Sequence, residues 1–251
     1  SFTINEPTAI VVQPVQTNVL CFGGSNGSIT LTVTGGTGPT YTYLWNPNVS
    51  TTNVATNISA GSYDITVADA NNCTVTQNAV ITEPTALDVT AIATDVSCFG
   101  YSDGTISATA TGGVNPYSYT VNPAGQFSGL PAASYTVFVT DANSCSNSTP
   151  VVINEPAQVI DLVTPTDVSC YHYTDGQISV AASGGFPSYT YSLSTGTQNA
   201  TGIFTGLSTG NYSITISDSH NCTTSDVAVI NEPDSVTLTV IPDPVSVNLG
   251  E

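Results

Sequence analysis

A Glu-Pro pair recurs down the chain at Glu6-Pro7, Glu83-Pro84, Glu155-Pro156 and Glu232-Pro233, at intervals of 77, 72 and 77 residues. A fixed period of this length means one structural unit used repeatedly, and it limits the possible folds more than any composition does. Residues 8–84, 85–156 and 157–233 are three copies of one module, and residues 1–7 read as the end of a preceding copy. Proline fixes φ and removes a backbone donor, so each pair stops a last strand and stiffens the joint that follows.

Within each copy the same landmarks return in the same order. A cysteine opens a turn at Cys21-Phe-Gly-Gly-Ser-Asn-Gly, Cys98-Phe-Gly-Tyr-Ser-Asp-Gly and Cys170-Tyr-His-Tyr-Thr-Asp-Gly. An alternating stretch follows, with Ile29, Leu31 and Val33 on one face, matched by Ile106, Ala108 and Ala110 and by Ile178, Val180 and Ala182. A period of two marks a half-buried strand. Gly35-Gly36, Gly112-Gly113 and Gly184-Gly185 end it, and tyrosines two apart come next at Tyr41/Tyr43, Tyr117/Tyr119 and Tyr189/Tyr191. A later strand carries Tyr63, Ile65 and Val67, with Tyr135, Val137 and Val139 and then Tyr212, Ile214 and Ile216 as its equivalents. The run Ile58-Ser-Ala-Gly-Ser-Tyr63 resembles a tyrosine corner, in which the phenol bonds nearby backbone at a crossover; simple core packing of the three tyrosines is the other reading. Six or seven short strands in about 75 residues predict an all-β fold of tandem immunoglobulin-like, Greek-key β-sandwich repeats. Residues 234–251 lack the cysteine turn and read as the start of a further, different immunoglobulin-like domain.

Six cysteines fall two to a module, Cys21 and Cys73, Cys98 and Cys145, Cys170 and Cys222. Six allow fifteen pairings, and two per repeat makes one intra-repeat disulfide in each the simplest. Closing such a loop contributes about 4 kcal/mol on the chain-entropy account, comparable with the whole stability of a small domain. Such bridges belong to an oxidising exterior, so an extracellular, cell-surface location is expected. Strand parity leaves the geometry open: if the first strand runs the full height, the two cysteine turns share a pole for six strands and lie at opposite poles for seven. A zinc alternative exists in the third copy alone, where Cys170-Tyr-His172 and His220-Asn-Cys222 form a Cys₂His₂ set. The first two copies keep their cysteines without these histidines, which favours disulfides.

Charge narrows the function. The chain has 18 Asp and Glu, two His and no Lys or Arg, a formal charge of −18. That surface repels nucleic acid and acidic headgroups, and no stretch of about 18 apolar residues is present to cross a bilayer. Neither nucleic-acid binding nor direct membrane insertion is expected. With no initiator Met, signal peptide or lipidation motif, the sequence reads as an internal segment or a processed product. No Lys or Arg stands ready to hold an oxyanion, no nucleophile or phosphate-loop motif appears, and the carboxylates sit in repeated turns rather than a unique cleft. An enzyme is not expected.

The binding candidates cluster at the cysteine turns. Asp69, Asp141 and Asp218 lie four residues before each second cysteine; Asp103 and Asp175 lie five after the first, with Asn26 in copy one; Asp95 and Asp167 lie three before it, with Asn18 in copy one. No cofactor is expected except Ca²⁺, which clustered Asp, Asn and carbonyl oxygens could hold; the competing reading is turn chemistry, in which these side chains bond backbone amides. Trp45, with Phe22, Phe99 and Tyr171, could stack on sugar rings, or pack in the core. Asn-x-Ser/Thr sequons at Asn26, Asn48, Asn57, Asn147 and Asn211 arise by chance in so Asn-, Ser- and Thr-rich a chain.

Cys21-Phe-Gly-Gly-Ser-Asn-Gly-Ser-Ile-Thr, Thr34-Gly-Gly-Thr-Gly-Pro-Thr-Tyr-Thr-Tyr, Gly61-Ser-Tyr-Asp-Ile-Thr-Val-Ala-Asp-Ala-Asn-Asn-Cys73 and Ile81-Thr-Glu-Pro84 together resemble the SprB repeat. The resemblance covers residues 8–233 and departs at Tyr101, His172, Tyr173 and Ala133. It implies a tandem repeat of very large surface proteins of Bacteroidota, exported by type IX secretion and acting in adhesion or gliding motility. It supplies no catalytic residues. Partners implied are surfaces, glycans or other copies of the chain. Passive spacers and self-associating, filament-forming modules both remain open, and edge strands without Lys favour association.

Overall fold

The computed structural model of the chain describes residues 2, 6–123 and 125–240. Every regular element in it is a strand. Two compact units are present, Ser1–Thr94 with Gly104–Ile153, and Asp95–Asp103 with Asn154–Glu251. Residues 231–240 form no strand, and the remainder of the segment expected to open a further domain lies outside the described residues.

The first copy shows the plan. Strands β1 (Val11–Thr17), β2 (Gly27–Thr34), β3 (Thr42–Asn46), β4 (Val54–Ile58), β5 (Gly61–Ala68) and β6 (Thr74–Ile81) form two three-stranded sheets, β1-β2-β4 and β3-β5-β6. Alternation drives the layering, since every second side chain faces inward. Ile29 and Leu31 from one sheet meet Trp45, Tyr63, Ile65, Val67 and Ile81 from the other in a single buried cluster. The expected faces of β2 and β5 are those observed.

β3 and β4 explain the topology. β3 pairs with the later half of β5, from Thr42↔Ala68 to Asn46↔Asp64. β4 pairs with the earlier half of β2, from Thr30↔Val54 to Gly27↔Ile58. Both pairings are antiparallel, so β3 and β4 climb in the same direction, and together they make one ascent that changes sheet at mid-height. Trp45 Nε1 donates to Thr52 O at 2.9 Å and Leu31 N donates to Asn53 O at 2.8 Å, tying the switch to both sheets. Six strands therefore make only five passes. The turn holding Cys21 caps the end where β1 finishes (the upper end), and the β5–β6 turn holding Cys73 caps the lower. An eight-residue strand separates them, about 26 Å at the usual rise.

The second copy repeats this with β7 (Asp88–Thr94), β8 (Gly104–Thr111), β9 (Ser118–Asn122), β10 (Ser128–Leu130), β11 (Ala133–Thr140) and β12 (Ser146–Ile153) in sheets β7-β8-β10 and β9-β11-β12. The third uses β13 (Ile160–Thr166), β14 (Gly176–Ser183), β15 (Thr190–Leu193), a two-residue β16 (Gln198–Asn199), β17 (Ile203–Leu207), β18 (Gly210–Ser217) and β19 (Thr223–Ile230), with β16 added at the edge of its second sheet.

Tyrosine corners occur in all three copies. Tyr63, Tyr135 and Tyr212 donate to the carbonyls of Ser59, Pro131 and Ser208, each four residues back, at 2.8–2.9 Å. Ala133 changes nothing in this geometry. The Gly-Gly pairs have a separate task. Gly36, Gly113 and Gly185 donate to Thr8 O, Thr85 O and Ala157 O, so the segment just after each Glu-Pro pair lies across the lower end of its repeat. Gly35, Gly112 and Gly184 approach that segment so closely that a Cβ would sit 1.9–2.0 Å from a carbonyl oxygen.

Candidate functional site: the cysteine joints

Each first cysteine begins a tight turn. Gly24, Tyr101 and Tyr173 donate their amides back to the carbonyls of Cys21, Cys98 and Cys170 at 3.0–3.1 Å. The third turn position has positive φ, which glycine accepts freely at Gly23 and Gly100 and which His172 adopts in the third copy. Three side chains then fix the turn. The oxygens of Asn26, Asp103 and Asp175 accept the amides of Leu20, Ser97 and Ser169 at 2.9–3.0 Å. Those of Asn18, Asp95 and Asp167 accept the amides of Thr82, Asn154 and Asn231 at 2.8–3.0 Å. The Glu of each Glu-Pro pair accepts the turn's central amide, Gly23 to Glu83 at 2.6 Å, Gly100 to Glu155 at 2.9 Å and His172 to Glu232 at 3.0 Å. The sequence did not foretell this hydrogen bond; the glutamate's recurrence beside each proline was the available signal.

Each second cysteine is set by a buried aspartate. Asp69 Oδ1 accepts the amides of Asn71 and Cys73 while Oδ2 accepts that of Thr37, all at 2.8–2.9 Å. Asp141 does the same with Asn143, Cys145 and Val114, and Asp218 with His220, Cys222 and Phe186. The Thr37 amide, with those of Cys73 and Asn71, holds the Asp69 carboxyl below the usual carboxylate range against the opposing effect of burial. At Asp141 and Asp218 burial pushes upward, and the three amide hydrogen bonds together outweigh it, so these carboxyls also lie low. Asp103 and Asp175 are lowered by their Ser97 and Ser169 partners.

The cysteines do not pair within repeats. Cys21 is bonded to Cys145 and Cys98 to Cys222, with Cα–Cα distances of 5.7 and 5.5 Å and the same sequence separation of 124 in both. The expected pairs Cys21–Cys73, Cys98–Cys145 and Cys170–Cys222 are thereby corrected. The five-pass topology puts the two cysteines of a repeat at opposite ends, far beyond the roughly 7 Å of Cα separation that a disulfide tolerates. The first cysteine of one copy instead meets the second cysteine of the next. Cys73 and Cys170 remain free and exposed.

In the first unit, Asn143 Nδ2 donates to Leu20 O at 2.8 Å beside the bridge, and Phe22 lies with Ala86, Leu87 and Ser146 around it. In the second unit, Phe99 and Tyr101 line a hollow with Pro156, Ala157, Gln158 and Val159 next to the Cys98–Cys222 bridge. Both cysteines there are buried and belong to the core cluster of the third copy.

Other expected sites change accordingly. Trp45 is 2 % exposed and sits in the core, so it is not a sugar-stacking surface. Its counterparts Val121 and Leu193 are buried as well, a sign that was present in the aligned repeats. The zinc set of the third copy is split, with Cys170 and His172 in the upper turn, His220 and Cys222 in the lower one, and Cys222 already bonded to Cys98. The candidate Ca²⁺ ligands Asp69, Asp95, Asp103, Asp141, Asp167, Asp175 and Asp218 all turn oxygens onto backbone amides. Among the described residues no three His, Cys, Asp or Glu side chains converge.

Among curated proteins none matches the chain. Solved structures similar to it include the N-terminal eight Ig domains of Down Syndrome Cell Adhesion Molecule (DSCAM) isoform 1.30.30, at 8% identity and TM-score 0.38, covering 90% of this chain and 45% of that one. The N-terminal four Ig domains of Dscam1 isoform 6.44 give 9% identity and TM-score 0.27, with 89% and 73% covered. Dpr2 Ig1-Ig2 in complex with DIP-Theta Ig1-Ig3 gives 8% and 0.28, with 88% and 98% covered. The chain spans less than half the length of the first of these. Scores of this size carry no weight for its architecture, which rests on its own strand pairing. The SprB repeat matches at residues 14–50, 90–126 and 162–198, each time across the first cysteine turn and the Gly-Gly pair that follows. The three matches fall in step with the three copies, so each copy is similar to the SprB repeat.

Proposed function

We propose that this array is a load-bearing stalk segment of a secreted cell-surface protein acting in adhesion or gliding movement. The observation that carries the reading is the interlacing of the two bridges, Cys21 to Cys145 and Cys98 to Cys222. The first spans the junction at residues 84–85 and the second the junction at residues 156–157, and they overlap between residues 98 and 145. Every peptide bond from Cys21 to Cys222 is thus bypassed by at least one disulfide. A backbone cut anywhere in that span leaves the molecule covalently continuous, which suits a tether exposed to proteases and pulling forces. Bridges of this kind persist outside the reducing cytosol, and the SprB repeat match agrees with a surface setting. The role is mechanical and asks for no catalytic group.

A site for a sequence-specific protease placed between Pro84 and Thr85 tests this. After complete cutting, the oxidised protein is expected to stay one species in denaturant and to part into two fragments only when a reductant is added. Separation without reductant would contradict a continuous load path.

A further inference from the structure

We infer that Asp161 and Asp226 form an acid-closed latch in the third repeat. One proton shared between the two carboxyls fastens β13 to β19, along the seam where the edges of the repeat's two sheets meet. The latch lies inside one repeat and does not depend on the stalk role.

Asp161 breaks the pattern of the copies. It stands opposite Ala182 in β14, where Val12 stands opposite Val33 and Val89 opposite Ala110. Both valines are buried, and Val163, two residues along β13 from Asp161, packs against the core of the third copy. Asp161 therefore carries a carboxyl into a place that the other copies fill with hydrocarbon. Its Oδ2 is buried and has no hydrogen-bond partner. Asp226 supplies the other half. It pairs with the buried Ile214 and stands two residues before the buried Ala228, which puts it on the core-facing side of β19. The matching residues in the other copies are Gln77, opposite Ile65, and Thr149, opposite Val137, neither of them charged. β13 and β19 are edge strands of the two sheets and pack side by side. The chain has no Lys or Arg to neutralise the pair.

Two ionised carboxylates in this seam repel, and one of their oxygens has lost water without gaining a partner. A single proton relieves both costs. The protonated Asp161 carboxyl donates to the Asp226 carboxylate, leaving one negative charge where there were two. Asp226 Oδ1 already accepts the Val227 amide at 2.7 Å, so Oδ2 is the oxygen left for the latch. Burial first, and then the charge of Asp226, hold the Asp161 carboxyl above the usual carboxylate range. Asp226 is the one titratable side chain on β19, and β14 has none. Above the ordinary Asp value of about 3.9 the folded repeat thus binds more protons than the unfolded chain. Its stability rises as pH falls through that window, and the penalty is fully present at neutral pH. The sign is opposite to that of Asp69, Asp141 and Asp218.

Hydrogen exchange of the whole chain, resolved on peptic peptides, tests the latch. After correction for the pH dependence of chemical exchange, β13 amides are expected to open less at about pH 5 than at about pH 7, on the order of threefold. β1 and β7, which carry Val12 and Val89, are controls in the same molecule and should not respond. Asp161→Val, which restores the residue of the other copies, should protect β13 equally at both pH values. Asp226→Asn should shrink the response, and carboxyl carbon NMR should show Asp161 titrating lower in that variant. Both variants keep His172 and His220, so any contribution from the histidines is subtracted. A β13 that ignores pH, an equal response in β1 and β7, or a response that survives Asp161→Val would overturn the inference.

Discussion

Three aspartates, Asp69, Asp141 and Asp218, hold the lower turn of each repeat by accepting three backbone amides apiece. Their folded-state carboxyls titrate below the ordinary range, so the folded protein binds fewer protons than the unfolded chain as pH falls. The stability they confer is therefore fully present above the ordinary Asp range and is lost as pH drops through the lowered values. Asp141→Asn is expected to reduce the melting temperature at pH 7 by several degrees and to flatten the decline below about pH 4, as followed by circular dichroism across pH 2–7. An unchanged acid profile would place the stabilisation elsewhere. The sequence suggested both this turn chemistry and calcium for these residues. Residue type and spacing alone could not separate them, because both readings use the same oxygens; the amide hydrogen bonds of the turn reading are seen only in the fold.

At the scale of elements, the faces of β2 and β5 and the tyrosine corners were legible, since period-two alternation and a Tyr placed five after an apolar residue act locally. The cysteine partners were not. Pairing depends on which pole each turn occupies, and that depends on β3 and β4 sharing one ascent across two sheets, a long-range arrangement that leaves no mark on the alternation. With six strands taken as six passes the cysteines would share a pole and with seven they would not, so the strand count left the cysteine poles open. The Gly-Gly turns illustrate the opposite case, in which a local signal had a definite cause. Gly112 has φ of +73°, and a Cβ there would lie 1.9 Å from Ala86 O. Gly112→Ala is expected to cost roughly 1–3 kcal/mol through backbone strain and displacement of the entry segment, measured by urea unfolding, and more than Ala at Gly125, which shares the positive φ, at +70°, but meets nothing within 4 Å.

For the whole molecule, the period that revealed the repeats also hid their connection. Two cysteines per copy invite pairing inside the copy, yet 124-residue bridges make the true covalent unit a pair of neighbouring repeats. A loop of that length contributes about 5 kcal/mol on the chain-entropy account, and here it holds consecutive modules as well as the chain within them. Trypsin cannot map the bonds, because the chain has no Lys or Arg. Digestion with pepsin at acid pH, where thiolates are too scarce to exchange, followed by mass spectrometry without reduction, reads the connectivity directly. Linked peptides containing Cys21 with Cys145 and Cys98 with Cys222 are the expected result; Cys21 with Cys73 and Cys98 with Cys145 would contradict the account.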